Sequence, residues 1–423
     1  MNATTTSILT GTGLMLLQLL FALPWMYVLL LTHNDRMQLR SNPLPSWLLQ
    51  RLWPTLGLCV GLPAVLFFTV NDRDTLENIG RAYGALLQIQ ITADLFVLIF
   101  ALLLVTWPKG GAVALAAFRE GTRQPTFWLL FLVSLFAMAV WIIIPYFTLG
   151  EDYLMVKQLG YDTIMLAAVI FGTLASSLSI SEEIEGRTAI TVMSKPVSRR
   201  QFMLGKFLGI TLAGLLMFGF LAVYFEGVLM VKHWWDKLET PTESAANQAS
   251  IGVIPTPAWV SELLTRWDLP AGSTDVLRGI FGWVAHASDT LPGLMLCFSQ
   301  VMVLVALAVT LATRLPVVVN LVCILAVFLL ANLTPTLLAV ARQTAREQPD
   351  STVARLLGFV AQVFDTILPD LGAFTLDPAL LSDAAPPANL FLRYVGSVTL
   401  YGVIYTGIVL LFGLILFEDK DLG

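Results

Sequence analysis

Long apolar stretches dominate the pattern of this chain. A helix that crosses a bilayer needs about 20 apolar residues, and nine stretches meet that requirement. They cover approximately residues 8–31, 52–70, 82–107, 126–149, 161–180, 207–231, 291–313, 315–340 and 394–417. The second stretch is short and contains Pro54 and Pro63, so its ends are the least well defined. The pattern predicts an all-α integral membrane protein with about nine transmembrane helices.

Two other segments have the pattern of amphipathic helices. Residues 112–124 place apolar side chains on one side, and Arg119 and Arg123 lie four residues apart, where they can meet anionic headgroups. In residues 353–368 the apolar positions recur at helical spacing. These positions are Val353, Leu356, Leu357, Val360, Val363, Phe364, Ile367 and Leu368. The first segment is predicted to lie at the membrane surface, and the second either lies there or packs on a neighbouring loop.

Composition supports the membrane interpretation. Apolar residues make up 57% of the chain and charged residues 13%, whereas a soluble domain has about 25% charged residues. The net charge of −5 argues against a nucleic-acid surface. The three cysteines lie in apolar stretches and the three histidines are far apart, so we predict no catalytic residues, no cofactor and no metal site.

The distribution of Lys and Arg predicts the orientation. Cytoplasmic segments carry an excess of these residues, and with the amino terminus outside about half of the 24 basic residues fall in short cytoplasmic segments. Those residues are Arg36, Arg40, Arg51, Lys109, Arg119, Arg123, Arg187, Lys195, Arg199, Arg200, Lys206, Arg314 and Lys420. The same orientation makes residues 232–290 and 341–393 long external loops.

Charge is most concentrated in residues 181–206, between the fifth and sixth predicted spans. Gly186 is a natural helix stop, and Ser198 with Gln201 three residues later forms a capping box for the next helix. Arg199 and Arg200 then fall in its first turn, where each cation opposes the helix dipole at a cost of about 0.3–1 kcal/mol. Lipid phosphates or the acidic surface of a partner protein would each account for them.

The sixth span continues with Gly205, Gly209 and Ala213, and small residues at a spacing of four let helices approach closely in lipid. Asp94 and Glu226 are two of the acids that lie within spans. Asp94 is near the middle of the third, where an acid costs about 2.5–3.5 kcal/mol, so it either makes a structural hydrogen bond to another helix or serves a substrate or proton. Glu226 is near the outer end of the sixth span, where an interface position accounts for it.

The loop has a resemblance to a known family. The run from Ser181 to Ala189, the run from Ser194 to Phe202, and Leu204-Gly205-Lys206 resemble the signature of ABC-2 type transporter permeases. The resemblance covers residues 111–423, a six-helix unit with an elbow helix at 112–124 and a coupling loop at 181–206. Residues 1–110 are then an additional amino-terminal membrane segment of three helices.

That resemblance implies a function and partners. Such permeases sit in the cell (inner) membrane as multi-pass proteins and export a substrate with energy from a separate cytoplasmic ABC ATPase subunit, working with a second permease copy that is identical or different. By the same resemblance the ATPase meets the coupling loop. Its coupling residues would be Glu182, Glu183, Glu185, Gly186, Arg187, Thr188, Lys195, Pro196, Arg199 and Arg200.

Two other functional classes fit the sequence less well. The chain has no Gly-x-x-x-x-Gly-Lys-Ser/Thr phosphate loop, which fits a transport subunit that is not itself an enzyme. A secondary transporter using Asp94 and Glu226 for ion coupling is the alternative, but such proteins usually show two repeated halves, and no repeat is evident. An intramembrane enzyme would need a paired catalytic constellation, and the span centres contain no histidine.

Overall fold

The computed structural model describes residues 3–41, 46–70, 72–143, 152–181, 198–239, 258–267, 269–347, 352–375 and 388–418. Within these residues the regular structure is helical, and we number thirteen α-helices in chain order. They are α1 (Ala3–Leu29), α2 (His33–Ser41), α3 (Ser46–Thr69), α4 (Arg73–Thr106), α5 (Pro108–Arg123), α6 (Pro125–Ile143), α7 (Asp152–Ser176), α8 (Arg199–Glu239), α9 (Ala258–Trp267), α10 (Ala271–Ala312), α11 (Val317–Glu347), α12 (Thr352–Ile367) and α13 (Ala388–Glu418). A short 3-10 turn at Gly372–Phe374 lies between α12 and α13.

Eight of the described helices are long and apolar enough to cross a membrane: α1, α4, α6, α7, α8, α10, α11 and α13. They correspond to eight of the nine predicted spans. The other predicted span forms α3, whose apolar part is only Trp53–Leu66, so the structure confirms an all-α integral membrane protein with eight clear spanning helices and one shorter candidate.

The surfaces of these helices are apolar. Val105, Trp53, Phe136 and Val318 are 82%, 74%, 72% and 72% exposed. A water-soluble monomer rarely exposes so many large apolar side chains along whole helices. These faces therefore suit contact with lipid.

The chain divides into two compact units. The first contains Met1–Leu102 and His233–Asp289, and the second contains Leu103–Lys232 and Thr290–Gly423. The sequence had assigned 232–290 to an external loop of the six-helix unit, but its described residues are largely helical, in the end of α8, in α9 and in the first half of α10.

Glycine packing explains how the distant segments of the first unit come together. A methyl group added to Gly80 of α4 would lie 3.0 Å from the Cα of Gly279 on α10, and one added to Gly84 would lie 3.0 Å from the Cβ of Trp283. The Trp283 indole N–H also donates a 2.6 Å hydrogen bond to Gln88 Oε1. Small residues thus allow α4 and α10 to cross closely. The local sequence could not reveal this contact, because the two segments lie about 200 residues apart in the chain.

Ion pairs reinforce the same crossing. Arg278 of α10 lies 3.4 Å from Glu77 of α4, and Arg73 of α4 lies 3.7 Å from Asp275 of α10. Glu77 and Asp275 are largely buried, with side chains only 13% and 15% exposed, so these contacts are better shielded from solvent than ordinary surface pairs.

The second unit has α7, α8 and the second half of α10 at its centre. In the most apolar 18 residues of α7, α8 and α10, 72%, 67% and 72% of the residues are buried. The corresponding fractions in α6, α11 and α13 are 17%, 22% and 33%. Its largest fully buried side chains include Phe171, Phe202, Phe225, Phe374 and Phe417. The three central helices therefore form the core, and the other three present lipid-facing surfaces.

Both predicted amphipathic helices are present, as α5 and α12. α12 packs along α11 rather than on a loop. Its Ala361 is buried, whereas Leu356, Phe359 and Ile367 remain about two-thirds exposed at 66%, 65% and 67%. The exposed face suits the membrane surface that the sequence predicted as one of two environments.

Candidate functional site

The segment 182–197, which carries most of the predicted coupling residues, lies outside the described residues. It contains Glu182, Glu183, Glu185, Gly186, Arg187, Thr188, Lys195 and Pro196. The structure describes both of its flanks, the last turns of the helix before it and the start of α8 with Arg199 and Arg200. We call this end of the second unit the loop end.

The amino-terminal flank ends in an irregular turn that is firmly held. After α7 the residues Ser177–Ser181 form a π-helical turn, a feature that often occurs at functional sites. The Ser181 Oγ lies 2.9 Å from the carbonyl oxygens of Ala312 and Leu315, and Asn320 Nδ2 donates a 2.8 Å bond to Ser177 Oγ. The π turn is therefore bonded to the connection between α10 and α11.

A polar triangle joins three helices at the loop end. Lys206 Nζ, on α8, donates to Ser179 Oγ at 2.7 Å and lies 3.3 Å from Glu120 Oε2, while Ser179 Oγ donates to Glu120 Oε2 at 2.9 Å. The Lys206 side chain is 6% exposed and that of Glu120 is 42% exposed. The triangle links the elbow helix α5, the π turn and α8, so these elements are coupled through charge-assisted hydrogen bonds.

The carboxyl-terminal flank begins with the predicted capping box. The Gln201 backbone N–H donates to Ser198 Oγ at 3.2 Å, and the Ser198 N–H donates to Gln201 Oε1 at 3.1 Å. These reciprocal bonds satisfy two backbone donors at the start of α8, and they confirm the capping prediction.

Arg199 and Arg200 contact the carboxyl end of α13. Arg199 Nη1 donates to the carbonyl oxygens of Phe417 at 3.2 Å and Glu418 at 2.9 Å, and Arg200 Nε lies 2.9 Å from Glu418 Oε1. Cations are favourable at a helix carboxyl end, where carbonyl oxygens lack helical partners. The sequence pattern suggested lipid phosphates or a partner protein as the contacts of these arginines, and it did not reveal this intramolecular contact.

A third basic residue, Arg314, contacts the same helix end. Arg314 Nη2, in the turn before α11, donates a 2.6 Å bond to the Leu416 carbonyl oxygen. The rings of Phe202 and Phe417 are stacked with centroids 6.1 Å apart. The one signal in the sequence for these contacts was the acidic end of the chain at Glu418, which complements the basic start of α8.

The small residues predicted to allow close helix packing do so. A methyl group on Gly209 would collide with the Ala114 carbonyl oxygen of α5 and lie 2.7 Å from Ala117 Cβ. A methyl group on Gly205 would lie 2.9 Å from the Gly110 carbonyl oxygen. The elbow helix thus packs directly on α8 through a seam of small residues. The small residues of α5 at this seam could have been recognised from the sequence.

Glu226 lies deeper than predicted. It is 1% exposed inside the second unit, and Thr290 Oγ1 donates to its Oε1 at 3.3 Å. The Tyr161 hydroxyl donates a 3.2 Å bond to the Thr290 carbonyl oxygen. A position at the lipid interface therefore does not account for Glu226, which belongs to a buried polar cluster instead.

Asp94 lies in the first unit, on α4. The Trp25 backbone of α1 is close to its carboxyl group, and the structural hydrogen bond between helices stays a prediction. Its Oδ1 atom is buried and has no hydrogen-bond partner among the described residues. Asp94 and Glu226 are in different units, and each is surrounded by its own set of polar groups.

Comparison with protein families decides the class. Residues 122–242 match the sequence model described as ABC-2 family transporter protein. Over these residues the chain is similar to ABC-2 type permeases. Comparison with curated proteins and with solved structures returned no match.

The matched region of the permease contains α6, α7, the segment 182–197 and α8. It therefore includes the loop and the helices whose ends form the loop end. The eight apolar helices indicate a multi-pass membrane protein, and the match supports the membrane part of an ABC transporter.

Proposed function

We propose that this permease is the subunit of an ABC exporter that moves its substrate across the cell (inner) membrane, driven by a separate cytoplasmic ATPase and paired with a second permease copy. The observation that carries the proposal is the family match, which runs through the charged segment 182–197 and both of its flanks. The absence of a phosphate-loop motif from the sequence supports an ATPase on another chain.

The contacts of the loop end support a coupling role for the segment. On one side the π turn is bonded to the α10–α11 connection, and on the other α8 is bonded to the end of α13. The Lys206, Ser179 and Glu120 triangle connects both flanks with the elbow helix. A displacement imposed on the loop by ATPase closure would therefore move α7, α8 and α5 together, because packed helices move as rigid bodies.

Arg187 is the residue with which to test coupling. It follows Gly186, where the sequence predicts a helix stop, and its planar guanidinium can bind carboxylates or carbonyl oxygens in a geometry that lysine cannot reproduce. Removing one partner of a buried charge pair at an interface typically costs about 2–5 kcal/mol, which corresponds to roughly 30-fold or greater weakening. Arg187→Ala is expected to insert normally but to bind the ATPase that much less well or to uncouple hydrolysis from transport.

The measurement is co-purification of the permease with its native ATPase, followed by ATP turnover in reconstituted vesicles. Arg355→Ala is the matched control, because Arg355 is an exposed arginine on α12, far along the chain from the loop. Arg199→Ala should have a smaller effect on ATPase binding, since its described contacts are with α13. If neither Arg187→Ala nor replacement of 182–187 by alanine and serine changes binding or turnover, the segment is not the coupling element.

A further inference from the structure

The elbow helix α5 joins the ends of two membrane-spanning helices. It begins at Pro108, directly after α4 ends at Thr106, and it ends at Arg123, directly before α6 begins at Pro125. Both α4 and α6 are long and apolar enough to cross a membrane. Because consecutive spans meet the same side of the bilayer where they are joined, α5 lies at the level of the lipid headgroups.

One face of α5 is used for packing and the opposite face is exposed. Ala117 and Gly121 belong to the buried seam against α8. Arg119 and Arg123 each follow one of these residues by two positions, which places them about 200° further around the helix. Both arginine side chains are exposed. The face that carries them is therefore directed away from α8.

The exposed face carries uncompensated positive charge. Lys109, Arg119 and Arg123 are all exposed, and their side chains form no ion pair or hydrogen bond with any residue that the structure describes. The acid beside them, Glu120, is already engaged by Lys206. The arginines at the start of α8 and before α11 are likewise engaged, by the end of α13. An occupant of the elbow face must therefore bring negative charge.

The spacing of the two arginines suits a phosphate group. Arg119 and Arg123 are one helical turn apart, which puts their Cβ atoms about 5–6 Å from each other. Two guanidinium groups at this separation can bind one phosphate from two sides, each with a pair of N–H donors. Lys109 lies ten residues from Arg119, about 15 Å along the helix axis, so it adds to the charge of the face but does not reach the same phosphate.

Apolar surface begins immediately beyond these cations. Near the start of α6 the side chains of Trp128, Leu129 and Leu132 are 54%, 63% and 60% exposed, as expected of a helix in contact with hydrocarbon. Arg123 precedes the first residue of this helix by only two positions. A phospholipid with a negative headgroup matches both surfaces, whereas the acidic surface of a soluble protein would match the charge alone.

We propose that the exposed face of the elbow helix binds an anionic phospholipid of the phosphatidylglycerol class. Its phosphodiester is held by Arg119 and Arg123, and its acyl chains lie along the first turns of α6. Phosphatidylcholine is bound less well, because its choline cation is repelled by the arginines. The proposal does not rest on the exporter function, and it gives the elbow helix a ligand in addition to its packing on α8.

The test is native mass spectrometry of the full chain in dodecylmaltoside, with dioleoyl phosphatidylglycerol or dioleoyl phosphatidylcholine added in equal steps. The first phosphatidylglycerol should bind at least roughly tenfold more tightly than the first phosphatidylcholine, since each basic residue near an anionic headgroup contributes about 1 kcal/mol. Arg119→Gln and Arg123→Gln should each weaken that first phosphatidylglycerol about fivefold, which is the same free energy expressed as an affinity. Binding of phosphatidylcholine should not change.

Matched variants separate the site from total charge and from folding. Arg342 and Arg346 of α11 are also exposed and four residues apart, and they lie at the end of α11 away from the α10–α11 connection. The double variant Arg342→Gln/Arg346→Gln therefore removes the same charge and should leave the tight phosphatidylglycerol unchanged. Arg119→Lys/Arg123→Lys keeps the charge but loses the bidentate geometry, so its affinity should lie between those of the wild type and Arg119→Gln/Arg123→Gln. Unchanged phosphatidylcholine binding and circular dichroism report that each variant is folded.

Three results would overturn the proposal. Equal affinity of the first phosphatidylglycerol and the first phosphatidylcholine would mean that the elbow face does not select headgroup charge. Equal weakening by the double glutamine variants of α5 and α11 would mean that only the total charge of the chain matters. Loss of ATPase co-purification in Arg119→Gln/Arg123→Gln, with phosphatidylglycerol binding unchanged, would mean that the face contacts a protein instead of lipid.

Discussion

The seam between the elbow helix and α8 offers a direct test of the packing. Gly209→Ala adds one methyl group where α5 passes closest to α8. That methyl would collide with the Ala114 carbonyl oxygen and lie 2.7 Å from Ala117 Cβ and 3.0 Å from Phe118 N. Two of the three obstructing atoms are backbone atoms, so no side-chain rotation relieves the contact.

The expected size of the effect follows from two opposing terms. Replacing glycine by alanine within a helix favours the helix by about 0.8–1.0 kcal/mol. Overpacking a well-filled contact costs about 1–3 kcal/mol, and the distance to Ala117 Cβ is about 1 Å shorter than a normal carbon–carbon contact. Gly209→Ala should therefore be less stable than a matched glycine-to-alanine variant without the clash by about 1–3 kcal/mol.

The same helix provides two matched controls. A methyl group on Gly227 would have no heavy atom within 4 Å, and one on Gly214 would make only an ordinary contact, 3.9 Å from Phe171 Cδ1. Gly227→Ala and Gly214→Ala thus retain the gain in helix propensity without the clash. They are expected to be as stable as the wild type or slightly more stable.

The assay is reversible unfolding in mixed detergent–SDS micelles, followed by circular dichroism for all four proteins. A second readout is ATP turnover with the ATPase bound, which Gly209→Ala should lower if the elbow helix moves with α8. If Gly209→Ala and Gly227→Ala have the same unfolding free energy, α5 does not pack on α8 through this seam, and the description of the loop end fails with it.

The remaining predictions concern topology and Asp94. Nine spans with the amino terminus outside predict that a reporter active only outside the membrane is silent after Gly423 and active when inserted beside Asp72, between α3 and α4. Activity at Gly423 would show that α3 does not cross the membrane or that the orientation is reversed. Asp94→Asn should fold with nearly wild-type stability because the amide can still accept the bond from α1, whereas Asp94→Leu should lower stability by about 1–3 kcal/mol by leaving a partner unpaired. Equal stability of all three forms, with transport lost in both variants, would instead assign Asp94 to coupling.

Local pattern was enough to identify the spanning helices, the elbow helix and α12. Each depends on the composition of 15–25 consecutive residues, because a helix in lipid satisfies its own backbone hydrogen bonds and needs only apolar side chains. The capping box at Ser198 and Gln201 is local for the same reason, since its bonds span three residues. The resemblance to ABC-2 type permeases was also readable locally, because the residues that carry it lie together within 181–206, inside the matched region 122–242.

Only the tertiary structure could reveal contacts between residues far apart in sequence. Arg200 meets Glu418 across 218 residues, and Arg278 meets Glu77 across 201 residues. Nothing in the local pattern of either segment selects the other, because many charged residues are equally suitable partners. The sequence therefore determined which segments enter the membrane and where the signature loop lies. Helix packing decided that 233–289 joins the first 102 residues, that Arg199 holds the end of α13, and that Glu226 is buried, because these depend on which helices approach closely enough for their side chains to meet.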